Sequence, residues 1–163
     1  MPSGSRSACL IRQSDSTDEE MALEVCDEGL SLLRSIGSEP VSIVAVAGMY
    51  RTGKSFFLNR LAQTSELGVG STTEPHTRGI WLWSAPSLRA RDGSRLVLMD
   101  TEGLASADQE ESYDVKIFAL GLLLSSYFVL NVVGVIDDNT IERLHLVTEV
   151  TKRVVVYQEE NKD

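Results

Sequence analysis

The chain has 163 residues, which is the length of one domain and enough to bury a hydrophobic core. Hydrophobic residues make up 42% and charged residues 24% of the sequence, as is ordinary for globular proteins. The net charge is −9 and no basic cluster interrupts the acidic segments. Nucleic acid and anionic membrane surfaces are therefore poor partners on grounds of charge.

The N-terminal twenty residues lack the apolar core of a signal peptide. The two cysteines, Cys9 and Cys26, have neither the spacing of a metal site nor the pattern of a disulfide framework. We expect both to be reduced thiols of a cytoplasmic protein.

The N-terminal segment shows few signs of regular structure before a predicted helix. We expect residues 1 to about 17 to be disordered or loosely attached, apart from a short apolar patch at Ala8 to Ile11. Thr17 is a predicted N-cap, and Glu20 completes a capping box. The helix that follows is predicted to end at Gly37. Its predicted buried residues are Met21, Leu23, Val25, Leu30, Leu33 and Ile36.

Residues 48 to 55 read Gly-Met-Tyr-Arg-Thr-Gly-Lys-Ser, the pattern of a phosphate-binding P-loop. The β-branched run Val41 to Ala47 precedes it as a predicted strand, and Phe56 to Ala62 follows it as a predicted helix. This strand–loop–helix order is the context that separates a P-loop from a chance match. The pattern predicts that the chain binds a nucleoside phosphate, or descends from a protein that did.

The residues of this loop have separate predicted roles. Gly48 and Gly53 allow successive backbone N–H groups to point inward, where the N-terminus of the next helix favours an anion. Lys54 would contact the outer phosphates, and the Ser55 hydroxyl would bind the accompanying Mg²⁺. Arg51 is either a solvated loop residue or an arginine finger that acts in cis. The predicted nucleotide-binding residues of this segment are Gly48, Tyr50, Arg51, Thr52, Gly53, Lys54, Ser55 and Phe56.

A second motif, Asp-Thr-Glu-Gly at residues 100 to 103, follows the predicted strand Arg95 to Met99. An acidic residue at the carboxyl end of a strand beside a P-loop is suited to bind Mg²⁺, which makes Asp100 a predicted metal ligand. The Gly103 N–H is placed to contact a γ-phosphate, and Gly103 joins the predicted nucleotide-binding set. The next residue, Leu104, stands where Ras-like GTPases have the glutamine that orients water.

Between the two motifs, residues 64 to 79 have no apolar periodicity and are predicted to be a long irregular loop, which is either functional or disordered. Thr77 lies where GTPases carry a mobile threonine that completes the Mg²⁺ shell. On position alone, three other hydroxyl residues compete with it, namely Ser71, Thr72 and Thr73. His76 and His145 are expected to be solvated rather than to bind a metal.

The uncharged stretch Ile117 to Ile136 has the length of a membrane span. Ser125-Ser126 divides it into a helix-like half and a β-branched half, which favours a buried helix and a central strand. We predict a helix at Asp108 to Leu124 and a strand at Tyr127 to Gly134. A final helix is predicted at Thr140 to about Tyr157, with one face lined by Ile141, Leu144, Val147, Val150 and Val154.

Two further strands are predicted at Ile80 to Ser84 and Arg95 to Met99. The turn at Asp92-Gly93 joins them closely enough for an antiparallel pair. The alternation of strands and helices predicts an α/β fold of the P-loop NTPase type, with a doubly wound, mostly parallel sheet and helices on both faces.

Several segments closely resemble the guanylate-binding protein branch of the large, dynamin-like GTPases, with atlastins as more distant relatives. These segments are GMYRTGKS, HTRGIWLW, LMDTEG, FALGLLLSSYFVLN and LVTEVTKR, and the resemblance runs from about Cys9 to Arg153. It implies binding of GTP and GDP and hydrolysis of GTP with Mg²⁺. It also implies dimerisation of G domains across their nucleotides, with a second copy or with a relative.

The resemblance assigns roles by matching position. It implies that Arg51 is an internal arginine finger and that Lys54 contacts phosphate. The implied Mg²⁺ ligands are Ser55, Thr77 and Asp100, and the implied catalytic residues are Arg51, Thr77 and Glu102.

The family resemblance also predicts which parts of a G domain are missing. Residues 1–37 are interpreted as an N-terminal extension with a leading helix, and residues 38–163 as a partial G domain without the guanine-specificity segment and the helical domain. Asn161-Lys162-Asp163 is interpreted as a solvated tail, because no strand precedes it. The strand at Tyr127 to Gly134 would then be an exposed edge.

Two functional hypotheses stay open at this point. The first is a Mg²⁺-dependent GTPase. The second is a truncated nucleotide-binding or dimerisation module that hydrolyses little and associates with full-length relatives. An ATP-dependent P-loop protein is disfavoured by HTRGIW and DTEG.

Overall fold

The computed structural model describes residues 6–14, 23–49, 52–63, 79–103, 111–136 and 138–152. In chain order, its elements are β1 (Arg6–Gln13), β2 (Leu23–Val25), α1 (Asp27–Ile36), β3 (Val41–Gly48), α2 (Lys54–Ala62), β4 (Ile80–Arg89), β5 (Arg95–Thr101), α3 (Glu111–Leu123), β6 (Tyr127–Asn131) and α4 (Asp138–Lys152).

The six strands form one sheet in the order β2-β1-β4-β5-β3-β6. Strand β3 pairs in parallel with β5 and β6, whereas the pairs β1–β2, β1–β4 and β4–β5 are antiparallel. The predicted β4–β5 pair is confirmed, but the prediction of a mostly parallel sheet is wrong. The sheet is mixed because two N-terminal strands extend its antiparallel side.

Helices cover both faces of the sheet, as predicted. Alternate residues of β3 point to opposite faces: Ala45 packs in one cluster with α1 and α3, whereas Val46 packs in another with α2. Ala47 lies on the α3 side with Phe118. The apolar run of β3 is thus buried on both faces, which is typical of a central strand.

The prediction that the N-terminal segment is loosely attached is wrong for Arg6–Gln13. Residues Arg6–Gln13 form β1, which lies between β2 and β4. A bulge between Cys9 and Ile11 interrupts the pairing with β4, and Leu10 and Ile11 are both buried. Because two successive residues point inward, the period-2 alternation that marks a strand is lost from the sequence.

The leading helix is shorter than predicted. It begins at Asp27, because Leu23–Val25 pairs with β1 as β2, and Val25 is 55% exposed rather than buried. Its end is confirmed, since the Gly37 N–H donates a hydrogen bond to the Arg34 carbonyl, 3.0 Å away. Thr17, Glu20 and Met21 lie outside the described residues.

The uncharged stretch contains a buried helix and a strand, as predicted. Helix α3 buries Ile117 and Phe118, and β6 follows after a short connection. In the described part of the chain, β6 is the last strand on its side of the sheet. No helix of the described residues is long and apolar enough to span a membrane.

The predicted apolar face of the final helix is only partly packed. Leu144 packs against the cluster around Phe118, whereas Ile141 is 55% exposed. The remaining predicted positions lie outside the described side chains.

Candidate phosphate-binding site

The two sequence motifs meet at one edge of the sheet. Because β3 and β5 run parallel, their carboxyl ends lie side by side, with Val46 opposite Asp100. Strand β6 ends at the same edge, where Asn131 is opposite Gly48. The crevice outside the carboxyl ends of parallel strands is where open α/β sheets bind ligands.

Two glycines allow the loop after β3 to turn sharply at this edge. A Cβ atom on Gly48 would lie 2.1 Å from the Asn131 carbonyl oxygen, so no other residue fits there without displacing β6. Gly53 has a φ of 84° in the left-handed region and caps the start of α2, where its carbonyl accepts the Phe57 N–H at 2.9 Å. The loop therefore delivers the N-terminus of α2 to the crevice.

Lys54 places a buried positive charge at the base of the loop. It is only 7% exposed, and its Nζ donates a hydrogen bond to the Met49 carbonyl at 3.3 Å. Burial lowers the pKa of Lys54, although the charges of Asp100 and Glu102 act in the opposite direction. An anion in the crevice would compensate for the lost hydration of this ammonium group.

Ser55 and Asp100 bring two oxygen atoms together beside Lys54. The Ser55 hydroxyl hydrogen-bonds to Asp100 Oδ2 at 2.5 Å, and Asp100 is 1% exposed at the end of β5. Mg²⁺ prefers oxygen ligands and is usually held by one or two protein side chains together with substrate phosphates. The donor chemistry of this pair fits Mg²⁺.

Glu102 connects three parts of the fold. Its Oε2 accepts hydrogen bonds from the Gly79 N–H at 2.7 Å and from the Tyr113 hydroxyl at 2.9 Å. Its own N–H donates to the Gly79 carbonyl at 2.8 Å. Glu102 is 3% exposed, so this buried carboxylate fixes the residue that precedes β4 to both β5 and α3.

Asn131 is a site residue that the sequence interpretation missed. Its Nδ2 donates to the Thr52 carbonyl at 2.8 Å and contacts Thr52 Oγ1 at 3.2 Å, which ties β6 to the phosphate loop. The available signal was a polar side chain at the end of a strand beside a P-loop. The predicted strand continued to Gly134 and placed Asn131 in its interior.

The structure describes only some of the remaining predicted residues. Phe56 is 59% exposed on α2, whereas Gly103 is buried just beyond β5. Exposed His145 on α4 fits its predicted solvation. Tyr50, Arg51, Ser71, Thr72, Thr73, His76, Thr77 and Leu104 lie outside the described residues, so their roles stay predictions.

Comparisons with known proteins match these residues to one family. The family model described as guanylate-binding protein, N-terminal domain, matches residues 20–163. The chain is 43% identical to guanylate-binding protein 1 of Chlorocebus aethiops over 148 residues, which cover 90% of this chain and 24% of that protein. It is 47% identical to guanylate-binding protein 5 of Homo sapiens over 131 residues, which cover 79% and 22%. The chain thus spans about a quarter of the length of the curated relatives it matches.

Proposed function

Because the chain belongs to the guanylate-binding protein family, we propose that it binds GTP and GDP with Mg²⁺ and hydrolyses GTP as part of a large GTPase. The observation that carries this proposal is the buried Lys54 ammonium beside the Ser55–Asp100 pair, at the edge where β3 and β5 end. A buried cation, two oxygen ligands and a helix N-terminus together suit a phosphate–magnesium group.

Each described residue then has a specific task in binding. Lys54 supplies a positive charge to the outer phosphates, and the start of α2 offers backbone N–H groups to them. Ser55 and Asp100 hold Mg²⁺, which neutralises phosphate charge when it is bound. Asn131 keeps the loop in place through its hydrogen bonds to Thr52.

Hydrolysis rests on three proposed residues. Arg51 acts as an arginine finger in cis, and Thr77 completes the Mg²⁺ ligands and helps to place the attacking water. Glu102 supports the water from the Asp-Thr-Glu-Gly motif. Its hydrogen bond to the Gly79 N–H supports this role, because Gly79 is the last residue of the predicted loop that contains Thr77.

The alternative is a nucleotide-binding or dimerisation module that hydrolyses little and pairs with full-length relatives. Strand β6 favours it, because this strand ends the described sheet and Tyr127 is 69% exposed. An edge strand with free backbone groups is a template for pairing with another chain. Both hypotheses predict nucleotide binding, but only the first predicts efficient hydrolysis of GTP.

Thermal unfolding with Mg²⁺ and GTP, GDP or ATP tests the shared part. A nucleotide at about 100 times its dissociation constant stabilises the folded chain by about 2.7 kcal/mol, which raises the midpoint by several degrees. We expect larger shifts with GTP and GDP than with ATP. Equal shifts would show that only the phosphates are recognised, and no shift with any nucleotide would refute binding.

Arg51→Ala tests the enzymatic part. We expect at least a ~10²-fold loss of GTP hydrolysis in single-turnover assays, with nucleotide binding largely kept, because an arginine finger stabilises charge that develops in the transition state. Arg60→Ala is the matched control, since Arg60 is exposed on α2. Equal turnover in the two variants would rule out the finger.

A further inference from the structure

Cys9 and Cys26 form a close pair of thiols far from the nucleotide motifs in sequence. Their Sγ atoms lie 3.0 Å apart, with Cys9 on β1 and Cys26 directly before α1. Both are free thiols; Cys26 is buried at 4% exposure, whereas Cys9 is partly exposed. Two sulfur atoms at this separation need only a small displacement to bond covalently.

The backbone around the pair is held on both sides. The Cys26 N–H donates to the Leu10 carbonyl at 2.8 Å, which continues the pairing of β1 with β2. A Cβ on Gly29, in the first turn of α1, would lie 2.5 Å from the Cys9 carbonyl oxygen. Strand and helix are thus in backbone contact beside the thiols, so the sulfur atoms stay close without a rearrangement of the fold.

A cavity of about 710 Å³ gives small molecules access to the pair. Cys9 and Cys26 both line it, together with Arg12, Glu28 and Trp81. This volume lies within the usual range of small-molecule pockets in proteins. A thiol pair that is held together and lines a cavity can exchange with a disulfide that enters the cavity.

We propose that Cys9 and Cys26 are a reversible oxidation site, at which a low-molecular-weight disulfide such as glutathione disulfide converts the two thiols into an intramolecular disulfide. One cysteine thiolate attacks a sulfur atom of glutathione disulfide and releases one glutathione. The second cysteine attacks the mixed disulfide and releases the other. Two electrons and two protons leave the protein, and two reduced glutathione molecules carry them.

The electrostatics of the site set the speed of this reaction. Burial, the hydrogen bond with Cys26 and the nearby Glu28 raise the pKa of Cys9 to about 12, although Arg12 acts to lower it. Cys9 therefore stays protonated at neutral pH, and little thiolate is present to attack. We expect thiol–disulfide exchange to be slower here than at an exposed cysteine. The intramolecular disulfide should nevertheless be favoured at equilibrium, because the second thiol lies beside the first.

The disulfide would stabilise the N-terminal part of the fold. It would close a chain segment between positions 17 residues apart and would cross-link β1 to the start of α1. Such a loop restricts the unfolded chain, which raises the free energy of unfolding of the oxidised form. The expected rise in the unfolding midpoint is roughly 5–10 °C for a domain of this size.

Equilibration of the purified chain in mixtures of reduced and oxidised glutathione tests the proposal. After free thiols are alkylated, we expect mass spectrometry to find a Cys9–Cys26 cross-linked peptide that lacks two hydrogen atoms and is restored by dithiothreitol. Alkylation of both cysteines under all mixtures would overturn the proposal. A stable glutathione adduct on Cys9 without the cross-link would also overturn it.

Cys9→Ser and Cys26→Ser provide the matched controls, since each removes one thiol with only a small change in side-chain volume. In either variant, oxidised glutathione should not raise the unfolding midpoint, in contrast to the rise expected for the unmodified chain. An equal rise in a variant would show that the stabilisation does not come from the disulfide. The cross-linked peptide of the unmodified chain decides the question even where a variant fails to fold.

Discussion

The two sides of the sheet bury very different side chains. On the parallel side, where β5, β3 and β6 end, Lys54, Asp100 and Glu102 are at most 7% exposed. On the antiparallel side, the buried residues of β4 are uncharged and mostly apolar, namely Ile80, Leu82, Trp83, Ser84 and Ala85. Buried charge costs free energy unless partners compensate for it, whereas buried apolar surface stabilises the fold.

This contrast separates the part of the molecule that supports the fold from the part that is proposed to bind a ligand. Loss of the charged groups at the parallel edge would stabilise the ligand-free protein, and such groups cluster at functional sites, where a ligand supplies the compensating charge. The antiparallel side contributes apolar packing and, through β1, a thiol pair. Substitutions on the two sides should therefore affect different measured quantities.

The largest effect is expected where the loop and β6 touch. Gly48→Ala should lower the free energy of unfolding by about 3 kcal/mol or more, because its Cβ would lie 2.1 Å from the Asn131 carbonyl oxygen. Gly53→Ala should cost only about 1–2 kcal/mol, since open space surrounds Gly53 and only its left-handed backbone opposes alanine. Urea unfolding of both variants measures the difference, and equal costs would contradict the close contact with β6.

Lys54→Met should separate binding from stability. Loss of the ammonium group is expected to weaken nucleotide binding by ~10- to 10²-fold, since hydrogen bonds to charged groups are worth about 1.5–3 kcal/mol. The stability of the ligand-free chain should stay the same or rise, because burial lowers the pKa of Lys54 and methionine is not charged. Titration with a fluorescent nucleotide and thermal unfolding measure the two quantities.

Lys152→Met is the control for that substitution. Lys152 is exposed and paired with Glu149 on α4, so its replacement should change neither affinity nor stability appreciably. If Lys54→Met destabilised the ligand-free chain, the view that this charge serves a ligand rather than the fold would be wrong.

The parallel side was also the more predictable from sequence. The sequence predicts β3, β5 and α2, because an apolar strand, a glycine-rich loop and a helix each leave a separate local signal. Ser55 and Asp100 could be expected to meet, since parallel strands end at a common edge. Their distance of 2.5 Å depends on tertiary packing and could not be predicted.

Beyond the confirmed β4–β5 pair, the antiparallel side was poorly predicted for a physical reason. The bulge in β1 removes the alternation by which Leu10 and Ile11 would mark a strand, and β2 has only three residues. The contact between Cys9 and Cys26 depends on this pairing, so their spacing in sequence gave no signal. Likewise, nothing local indicated that Tyr113 would meet Glu102.

Tyr113→Phe tests whether Glu102 is held in place by its neighbours. The lost hydroxyl removes a buried donor to a carboxylate, so we expect a loss of about 1–2 kcal/mol in the free energy of unfolding. Single-turnover GTP hydrolysis should fall more than nucleotide affinity, because Glu102 is proposed to support the attacking water. Tyr127→Phe is the control at 69% exposure, and equal effects of the two variants on hydrolysis would refute the positioning role.

The smallest effect is expected at the opposite edge of the sheet, where Glu39 bridges Arg89 and Arg95. Hydrogen bonds from Arg95 and Arg89 lower the pKa of Glu39 from its ordinary value of 4.5. The ionised form is therefore the stabilising one, and its contribution is complete above pH 4.5 and is lost as the pH falls through the lower folded-state pKa.

Glu39→Gln should accordingly lower the unfolding midpoint by about 1–3 °C at neutral pH, as expected for a partly exposed ion pair, and by progressively less in acid. Nucleotide affinity should not change, because Glu39 lies at the end of the strands away from Gly48 and Asp100. Thermal unfolding between neutral and strongly acidic pH measures the convergence with the unmodified chain. A gap that stays constant with pH would mean that Glu39 stabilises the fold through packing rather than charge, and a loss of affinity would mean that the two ends of the sheet are not independent.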